Sequence, residues 1–325
     1  MTKMLLKIRK AGVILFLVMA GAWTGYAAED LPLVNTQTMG LGGIDTLSIS
    51  YGSGEVILRE SETGDLIIKE YMKIDRPRYY MNISRSGGTI TVRQGRRPWF
   101  DWRWEARAEI YLPNSFRENI RISNASGNFR AEMDLVDYKT IDINVGSGSV
   151  SFNRLSAETL SVRVSSGDLD IRNAEGNSFI SLSSGRLQIG GLSGSDHRLK
   201  TSSGRMRIDT LQGTSVIELS SGSLSIENFS GEGSFGLSSG SATITMEELT
   251  GDLRLRLSSG HIILNIPRDI SFNLDAVTNS GSIQVAGDEP AQVSGNSTIL
   301  RPFGPSPERT IYARTSSGNV TINRR

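Results

Sequence analysis

The sequence contains no cysteine and only two histidines, His197 and His261, among its 325 residues. Disulfides and thiol chemistry are therefore excluded, and too few ligands remain for a zinc site of the usual Cys/His kind. A Ser-His-Asp triad needs one histidine that is held by a carboxylate and faces a serine. The two histidines lie in different parts of the chain, so we expect no catalytic residue, no metal and no cofactor.

Helical periodicity is also missing, because no window shows apolar residues at a sustained spacing of 3.6. Nor does any stretch match the G-G-x-G-x-D calcium repeat. A carbohydrate-active enzyme would need two or three carboxylates about 5 to 10 Å apart on one face. Asp168, Asp170, Asp209 and Asp252 are scattered along the chain, and we interpret them as surface residues.

A long apolar run occurs at the start of the chain, where residues 11–22 follow four basic residues. This order is typical of a secretory signal peptide, and the run is too short for a membrane span. We predict a signal peptide over residues 1–27 with cleavage before Ala28. The alternative is an uncleaved anchor, which would then be the chain's contact with a membrane.

The charge balance argues against a nucleic-acid ligand. The whole chain has 35 Lys and Arg against 34 Asp and Glu, and residues 1–27 hold four of the basic residues and none of the acidic ones. The exported chain therefore has 31 basic and 34 acidic residues, a net charge of −3. A nucleic-acid binder would show a basic domain or stripe. From the predicted signal peptide we expect this protein to lie in the periplasm or at the cell surface, or to be secreted.

A Ser-Ser-Gly motif recurs through the middle of the chain. Its glycines are separated by 18, 19, 18, 18 and 20 residues, and they are Gly167, Gly185, Gly204, Gly222, Gly240 and Gly260. Weaker copies end at Gly127, Gly148, Gly281 and Gly318. A fixed period of about 20 residues predicts a solenoid or an array of small units.

Each unit contains two short runs of alternating apolar residues, such as Leu187 and Ile189 after one corner. This alternation predicts half-buried strands, so a unit is strand, turn, strand and Ser-Ser-Gly corner. A unit this short cannot bury its apolar row alone. We therefore predict an all-β fold, a parallel β-helix (β-solenoid) with about 20 residues per coil, in which Leu187, Met206 and Leu224 stack inside.

Several consequences follow for the corners. Glycine permits a close approach of adjacent coils, so the corner glycines should form one line. The paired serines should stack as ladders along the corner, with hydrogen bonds from hydroxyl to hydroxyl or to backbone. A propeller of paired units and an antiparallel barrel or sandwich are the alternatives, although the Asn-Gly hairpin turns that the latter would need are scarce.

Outside the regular units the pattern changes. We predict an irregular, strand-rich capping segment over residues 28–110 and the Ser-Ser-Gly solenoid over residues 111–325. Pro113 and Pro267 each precede a corner glycine by 14 residues, so they should open equivalent coils. Residues 287–309 contain four prolines and lose the period, and we predict a loop insertion there.

An aromatic and basic segment precedes the solenoid at residues 94–107, with the sequence G-R-R-P-W-F-D-W-R-W-E-A-R after Gln94. Trp and Arg are enriched in binding hot spots, and aromatic rings stack on sugars. The candidate ligand contacts are Arg96, Arg97, Trp99 and Phe100. By contrast, Trp102 and Trp104 continue the alternation of the next strand, so we expect them to pack inward at the end of the solenoid.

The signal peptide, the I-Y-L-P-N-S-F run at residues 110–116, the serial L-S-S-G-x-L-x-I units and the closing A-R-T-S-S-G-N-V-T-I resemble a known family. It is a bacterial family of β-strand-repeat candidate adhesins, a domain of unknown function related to LiaG-like envelope proteins and the head GIN domain. The resemblance implies a β-helical fold and a location in the cell envelope, and it implies no catalytic residues.

Together these observations predict a non-enzymatic, exported cell-envelope protein. It would be an extended β-helical scaffold for adhesion, which binds a surface glycan or other polymer, an envelope protein or a second copy of itself. The alternatives are a carbohydrate-active solenoid enzyme and an accessory role in envelope-stress signalling, which the LiaG-like resemblance suggests.

Overall fold

A computed structural model describes residues 31–96, 105–287 and 290–325. The described residues contain 23 strands and one 3₁₀ turn, Pro77–Tyr79. Leu31–Arg325 form one unit. Among the described residues, no helix is long and apolar enough to cross a membrane. The predicted signal peptide, residues 1–27, lies outside the described residues.

The strands before the regular array are β1 (Leu33–Gly40), β2 (Thr46–Tyr51), β3 (Glu55–Ser61), β4 (Asp65–Met72), β5 (Asn82–Ser86), β6 (Thr89–Arg93), β7 (Ala106–Pro113), β8 (Asn119–Asn124) and β9 (Asn128–Ala131). The long strands are β10 (Leu135–Val145), β11 (Ser149–Val164), β12 (Asp168–Leu182), β13 (Arg186–Thr201), β14 (Arg205–Leu219), β15 (Ser223–Leu237) and β16 (Ser241–Leu257). The remaining strands are β17 (His261–Ile266), β18 (Phe272–Thr278), β19 (Ser282–Ala286), β20 (Ala291–Ser294), β21 (Ser297–Phe303), β22 (Thr310–Thr315) and β23 (Asn319–Arg324).

The long strands β10 to β16 stack in chain order, each pairing in parallel with the next. Each of β11 to β16 fills one coil from one Ser-Ser-Gly corner to the next. Parallel pairing places coils about 4.8 Å apart. The prediction of an all-β solenoid with one unit per coil is confirmed.

The inward residues of successive coils lie directly over one another. Leu187 pairs with Met206 and Met206 with Leu224, and all three are buried. The same buried cluster includes residues from both halves of each coil, for example Ile189 before the bend and Leu199 after it. The predicted internal stack is therefore confirmed, and one continuous core runs the length of the molecule.

The middle of each coil differs in detail from the expectation. The two apolar runs of a unit belong to one continuous strand, which bends at a second corner, and three neighbouring pairs have a register shift there. Gly176 and Gly213 adopt φ of 125° at this bend, a conformation that other residues resist. The expected turn is thus a bulged bend that keeps its pairing to the next coil.

The corner glycines form one line, as predicted. A Cβ atom added at Gly222 would lie 2.5 Å from the carbonyl oxygen of Gly204, and one at Gly240 would lie 2.4 Å from that of Gly222. The same close approach links each corner to the next along the stack, through Gly127, Gly148, Gly167, Gly185, Gly204, Gly222, Gly240, Gly260, Gly318 and Gly281. Only a residue without a side chain fits this spacing.

The coil nearest the N-terminus is not the outermost coil. Its two strands each pair in parallel on both sides, β2 with β6 and β8, and β3 with β7 and β9. Antiparallel strands close this end: β5 pairs with β6, β4 with β7, and β1 with β4. The described part of residues 28–110, the range expected as a cap, therefore contains strands of two stacked coils as well as capping strands.

The C-terminal end repeats this arrangement. The last two strands are inserted into the stack, β22 between β16 and β18, and β23 between β17 and β19. Residues 287–309, expected as a loop insertion, instead contain β20 and β21, which pair antiparallel with β19 and β18. Phe303 of β21 is buried and stacks on Phe272, with 5.1 Å between ring centroids. Pro302 is accommodated because β21 is the last strand on its face.

Pro113 and Pro267 occupy equivalent places in this topology. Pro113 ends β7, and the chain then passes the inserted coil β2–β3 to reach β8. Pro267 follows β17, and the chain passes the inserted coil β22–β23 to reach β18. Proline has no N–H for the ladder, so in both places it ends a strand where the chain must skip one coil.

The close approach at the corner predicts different effects for two glycine substitutions. Gly222→Ala should lower the free energy of unfolding by about 1 to 3 kcal/mol, because its Cβ would overlap the neighbouring carbonyl and the Thr201 methyl group at 2.5 Å. Gly236→Ala is the matched control, because its Cβ would meet only the oxygen of Ile217, at 3.9 Å. Urea denaturation measures both, and equal losses would contradict the argument.

The inserted C-terminal coil predicts an unusual order of hydrogen exchange. Amides of β22 and β23, although last in the chain, should exchange at least about tenfold more slowly than those of β20 and β21. The reason is that β22 and β23 are paired on both sides, whereas β20 and β21 each pair with one strand. Mass spectrometry of peptic fragments measures this, and equal rates would disprove the inserted topology.

Candidate functional site

The row of Ser-Ser-Gly corners, which we name the corner ridge, is the most regular surface of the molecule. It runs from Ser165 to Gly260 in chain order and continues through the inserted corner at residues 316–318. The backbone carries the ladder through each corner: the N–H of Ser183 donates to the oxygen of Val164 at 2.9 Å, and that of Ser184 to Ser165 at 2.8 Å. Each further coil repeats this pair of bonds.

The corner hydroxyls differ from the expectation. The serines of the ridge are exposed, and within the described residues their hydroxyls make no hydrogen bond to the protein, either at Ser165–Ser166 or in the later copies up to Ser316–Ser317. The expected ladder is therefore absent at these corners, although at the two earlier copies Ser126 and Ser147 donate to the oxygens of Gly52 at 2.6 Å and Ala125 at 3.3 Å. Two rows of hydroxyls, spaced about 4.8 Å apart along each row, are left to face solvent.

A groove lies on each side of the corner ridge. We call face 1 the half-coils that run into the corners and face 2 the half-coils that leave them. Groove 1, on face 1, has a volume of about 560 Å³ and is lined by the first serines of the corners, including Ser220 and Ser238. Groove 2, on face 2, has a volume of about 760 Å³ and is lined by the second serines, including Ser221 and Ser239. The two serines of each motif thus serve different surfaces.

Groove 2 has charges of both signs along its first outward column. Asp168, Arg186 and Arg205 are in register on three successive coils, and Ser223 follows. The two arginines have no ion pair with any described residue. His261 and Asn319 continue the lining at the other end. The groove can therefore offer hydrogen bonds from hydroxyls, guanidinium groups and an imidazole.

Groove 1 is richer in cations. Its column next to the ridge contains Lys200, Glu218, Gly236, Arg256 and Arg314 on successive coils of the stack. Three of these five positions are basic and one is acidic. Groove 1 therefore suits a ligand with negative charge better than groove 2 does.

The predicted aromatic contacts fall where the described residues end. Arg97, Trp99, Phe100, Trp102 and Trp104 lie outside the described residues, so their roles stay predictions. Arg96 is described; its side chain is exposed and its N–H donates to the oxygen of Arg78 at 3.1 Å.

The described start of the aromatic segment, at residues 94–96, lies beside a corner of the N-terminal coil β2–β3. Gln94 accepts hydrogen bonds from the N–H groups of Gly52 and Ser53 at 2.8 and 3.0 Å, and its own N–H donates to the oxygen of Ser50 at 2.9 Å. The Gly52–Ser53 corner belongs to the coil β2–β3. The described start of the aromatic segment is thus fixed at the N-terminal end of the corner line.

A buried polar network near this end was not predicted from the sequence. The carboxylate of Glu109 is buried and accepts hydrogen bonds from the hydroxyls of Tyr111 at 2.8 Å and Tyr71 at 3.3 Å. Arg107 and Arg59 approach it at 3.7 and 3.9 Å. Burial and the bond to Glu109 raise the pKa of Tyr111 to about 12. The alternation of inward and outward residues along β7 predicts that Glu109 faces outward. Only the positions of the neighbouring strands show that its side chain is covered.

A second buried carboxylate supports the cap. Glu70 accepts hydrogen bonds from the amide of Asn35 at 2.7 Å and the N–H of Met81 at 2.8 Å. Burial raises the pKa of Glu70 above its ordinary value, while these bonds oppose the shift. Its partners come from β1 and from the chain before β5, so Glu70 holds capping strands together.

His197 is a core residue. It is buried, its Nδ1 lies 2.8 Å from the hydroxyl of Ser178, and its Nε2 lies 2.9 Å from the oxygen of Gln212. An Nε2–H that donates to Gln212 leaves Nδ1 to accept from Ser178. Burial lowers the pKa of His197. The pair is closed off from both grooves and has no carboxylate partner among the described residues, so it does not form a triad.

The four aspartates considered for catalysis do not come together. Asp168 and Asp170 are exposed neighbours on β12. Asp209 pairs with Arg207 at 3.1 Å, and Asp252 accepts from the N–H of Thr310 at 2.9 Å. Within the part of the chain that the structure describes, no three His, Cys, Asp or Glu residues are grouped to hold a metal ion.

Comparison with known proteins gives one family and several distant structures. The model of the family described as Toastrack DUF4097 matches residues 44–179 and again residues 172–323. The family resemblance seen in the sequence is thereby confirmed. No curated protein matches the chain significantly.

Among solved structures, the chain is similar to a candidate lipid-binding protein from Parabacteroides distasonis, with 14% identity over 89% of this chain and 96% of that chain and a TM-score of 0.45. A candidate adhesin from the same organism shows 12% identity over 91% and 98% of the two chains, with a TM-score of 0.41. A candidate cell adhesion protein from Clostridium sporogenes shows 13% identity over 90% and 98%, with a TM-score of 0.29.

The buried imidazole predicts a pH dependence of stability. The unfolded chain takes up a proton at His197 below a pH of about 6.5, whereas the native state resists it because burial lowers the pKa. Stability should therefore fall as pH drops from 7.5 to 5.5. In His197→Gln this fall should be smaller, as measured by urea denaturation at each pH.

His261→Gln is the matched control, because His261 lines groove 2 instead of the core. Both variants keep every carboxyl group, including Glu70, so the difference between them reports the imidazole alone. If His261→Gln reduced the pH dependence as much as His197→Gln, the assignment of the effect to the buried ring would be wrong.

Proposed function

The chain belongs to the Toastrack DUF4097 family, and from this premise we propose that it is a non-enzymatic, exported β-solenoid whose corner ridge binds an extended surface polymer. The family gives the architecture. The ligand class is argued from the surface that this architecture presents. We propose a glycan of the cell envelope as that polymer, with adhesion or attachment as the outcome.

The observation that carries the proposal is the row of free hydroxyls on the corner ridge. From Ser165 to Ser259 the first and second corner serines are exposed and make no hydrogen bond to described residues. A row of donors and acceptors at a spacing of about 4.8 Å matches a partner that is itself extended and repetitive. The two grooves beside the ridge, with volumes of about 560 and 760 Å³, provide space in which such a polymer can lie along the stack of coils.

The rigidity of the ridge supports the same conclusion. Each corner is fixed by backbone hydrogen bonds of 2.7 to 2.9 Å to its neighbour, such as Ser203 to Ser183 and Ser220 to Thr201. Hydroxyls on a pre-organised backbone lose little further freedom when they bind, which favours affinity. Weak single contacts can then add up along the polymer.

The absence of catalysis is part of the proposal. His197 is enclosed and bonded to Ser178 and Gln212, and Asp209 and Asp252 are bonded away from Asp168. These observations favour a binding protein over the alternative of a carbohydrate-active enzyme. Export rests on the predicted signal peptide, and the accessory role in envelope-stress signalling rests on the family resemblance alone.

Removal of the ridge hydroxyls tests the proposal. The sixfold variant with alanine at Ser202, Ser203, Ser220, Ser221, Ser238 and Ser239 should bind purified cell-wall sacculi, chitin and dextran at least tenfold more weakly than the unchanged protein in co-sedimentation and titration assays. Each neutral hydrogen bond contributes about 0.5 to 1.5 kcal/mol, so several lost together suffice. The melting temperature should stay nearly constant, because these hydroxyls have no hydrogen-bond partner in the part of the chain that the structure describes.

The matched control carries alanine at Ser156, Ser193 and Ser230, which share one column beside the opposite corner. It should bind as the unchanged protein does. If the unchanged protein bound none of the polysaccharides, or if both variants bound equally well, the proposed function would be rejected.

A further inference from the structure

Face 1 has a dip that the backbone does not require. Gly236 lies in an outward column of β15, and a Cβ added there would meet only the oxygen of Ile217, at 3.9 Å. At the corner, by contrast, a Cβ on Gly240 would lie 2.4 Å from its neighbour. The coils therefore leave room for a side chain at Gly236. The absence of a side chain there changes the shape of the surface, but the packing of the coils does not require it.

Charged side chains stand on both sides of this dip. Glu218 and Arg256 are the direct neighbours of Gly236 in its column, and Lys200 and Arg314 are the next ones out. Two coil spacings are about 10 Å. Three cations therefore lie within about 10 Å of the dip along one line.

The pairing of these charges leaves a positive excess. Lys200 pairs with Glu218 at 3.6 Å, and Arg314 with Asp275 at 2.8 Å. The first pair is about half exposed on each side, and such surface pairs hold weakly. Arg256 has no ion pair with any described residue. An exposed guanidinium without a carboxylate is thus the immediate neighbour of the dip.

Neutral groups complete the surface. The wall of groove 1 on the ridge side consists of the hydroxyls of Ser220, Ser238 and Ser258, with Ser316 beyond them. On the outer side Tyr312 is half-buried, with the guanidinium of Arg254 5.1 Å from its ring centroid. Hydroxyls and an aromatic ring suit the polar edges and the apolar faces of sugars.

We propose that groove 1 binds an anionic glycan, with a carboxylate or phosphate group of the polymer seated over Gly236 and held by Arg256. Lys200 and Arg314 add attraction on either side, and the ridge serines bind the sugar hydroxyls. Arginine suits this role because its planar fork matches carboxylate and phosphate oxygens in pairs. This inference rests on the proposed function and specifies the ligand's charge and its groove.

Groove 2 provides the internal contrast. Its unpaired arginines, Arg186 and Arg205, share their column with Asp168, and the neighbouring column of β12 and β13 carries Asp170 and Gln188. Asp168 and Asp170 have no ion pair with any described residue, whereas Glu218 in groove 1 pairs with Lys200, so groove 2 would repel an anionic chain more strongly. Replacement of an arginine of groove 2 therefore distinguishes the two grooves.

Titration with an acidic and a neutral polysaccharide tests the inference. The unchanged protein should bind polygalacturonate at least tenfold more tightly than dextran at low salt, and 0.5 M NaCl should reduce this preference because salt screens exposed charges. Arg256→Gln should lose at least tenfold in affinity for polygalacturonate and leave the affinity for dextran unchanged. Gly236→Val, which fills the dip and suits a strand, should show the same loss.

Control variants and probes separate the other outcomes. Arg205→Gln, in groove 2, should lose much less affinity for polygalacturonate than Arg256→Gln does. Arg172→Gln, whose exposed arginine lines neither groove, should bind polygalacturonate as the unchanged protein does. Monomeric galacturonate and inorganic phosphate should compete only weakly. Binding of duplex DNA at equal strength, or tight binding of free phosphate alone, would overturn an anionic glycan as the ligand. Equal affinity for dextran and polygalacturonate, or an equal loss in Arg205→Gln, would overturn the assignment to groove 1.

The two proposals fail in different ways. If dextran and polygalacturonate bind equally and the ridge variant abolishes both, the proposed function stands and the charge inference falls. If the unchanged protein binds neither of these two polysaccharides, the charge inference falls, and the proposed function falls with it only if sacculi and chitin also fail to bind. Circular dichroism shows whether a variant is folded, and Arg256→Gln keeps the test decisive if Gly236→Val does not fold, because Arg256 is exposed.

Discussion

The structure depends on one constraint: the distance between successive coils must be the same at the corners as it is along the strands. At the corner the chain turns, yet the N–H groups of Ser183 and Ser184 still reach the oxygens of the preceding coil at 2.9 and 2.8 Å. The next residue, Gly185, lies so close to the preceding coil that a Cβ atom on it would be 1.9 Å from the oxygen of Gly167. Glycine is the residue that satisfies both conditions, and its recurrence fixes the period of the sequence.

The same constraint decides what the surface can offer. Because the backbone groups of the corner ridge bond to one another, the serine hydroxyls from Ser165 onward are left without partners among the described residues. Parallel stacking also places equivalent positions of successive coils side by side, so like charges meet unless they alternate. Near the N-terminal end a carboxylate separates cations: Asp142 contacts Arg121 of its own column at 3.2 Å and Arg163 of the adjacent column at 2.9 Å. In the column through Gly236, Arg256 lies directly beside Arg314 and has no ion pair with any described residue, and together with the open surface over Gly236 this is why we assign a charged ligand to it.

The sequence predicts what is local and repeated. The alternation around Leu187 and the spacing of the corner glycines are enough for the coil, the core and the glycine line. The order of the coils is different, because nothing in residues 310–325 shows that they insert between β16 and β18. The matched prolines, Pro113 and Pro267, were the available signal. Their equal distance from a corner glycine predicts equivalent coils, but it does not show that the chain skips a coil at each proline. Groove charges also escaped prediction, because they depend on which coils are neighbours.

The inserted coils explain how a chain without cysteine can close a linear stack at both ends. In a simple solenoid each unit contacts only its neighbours, so the terminal units can separate first. Here β2 and β3 at one end, and β22 and β23 at the other, are held on both sides by strands from elsewhere in the chain. To release such a coil, the outer coil must leave as well, so the two open together. The insertion thus ties the ends to the rest of the chain, as a disulfide does in proteins that contain one.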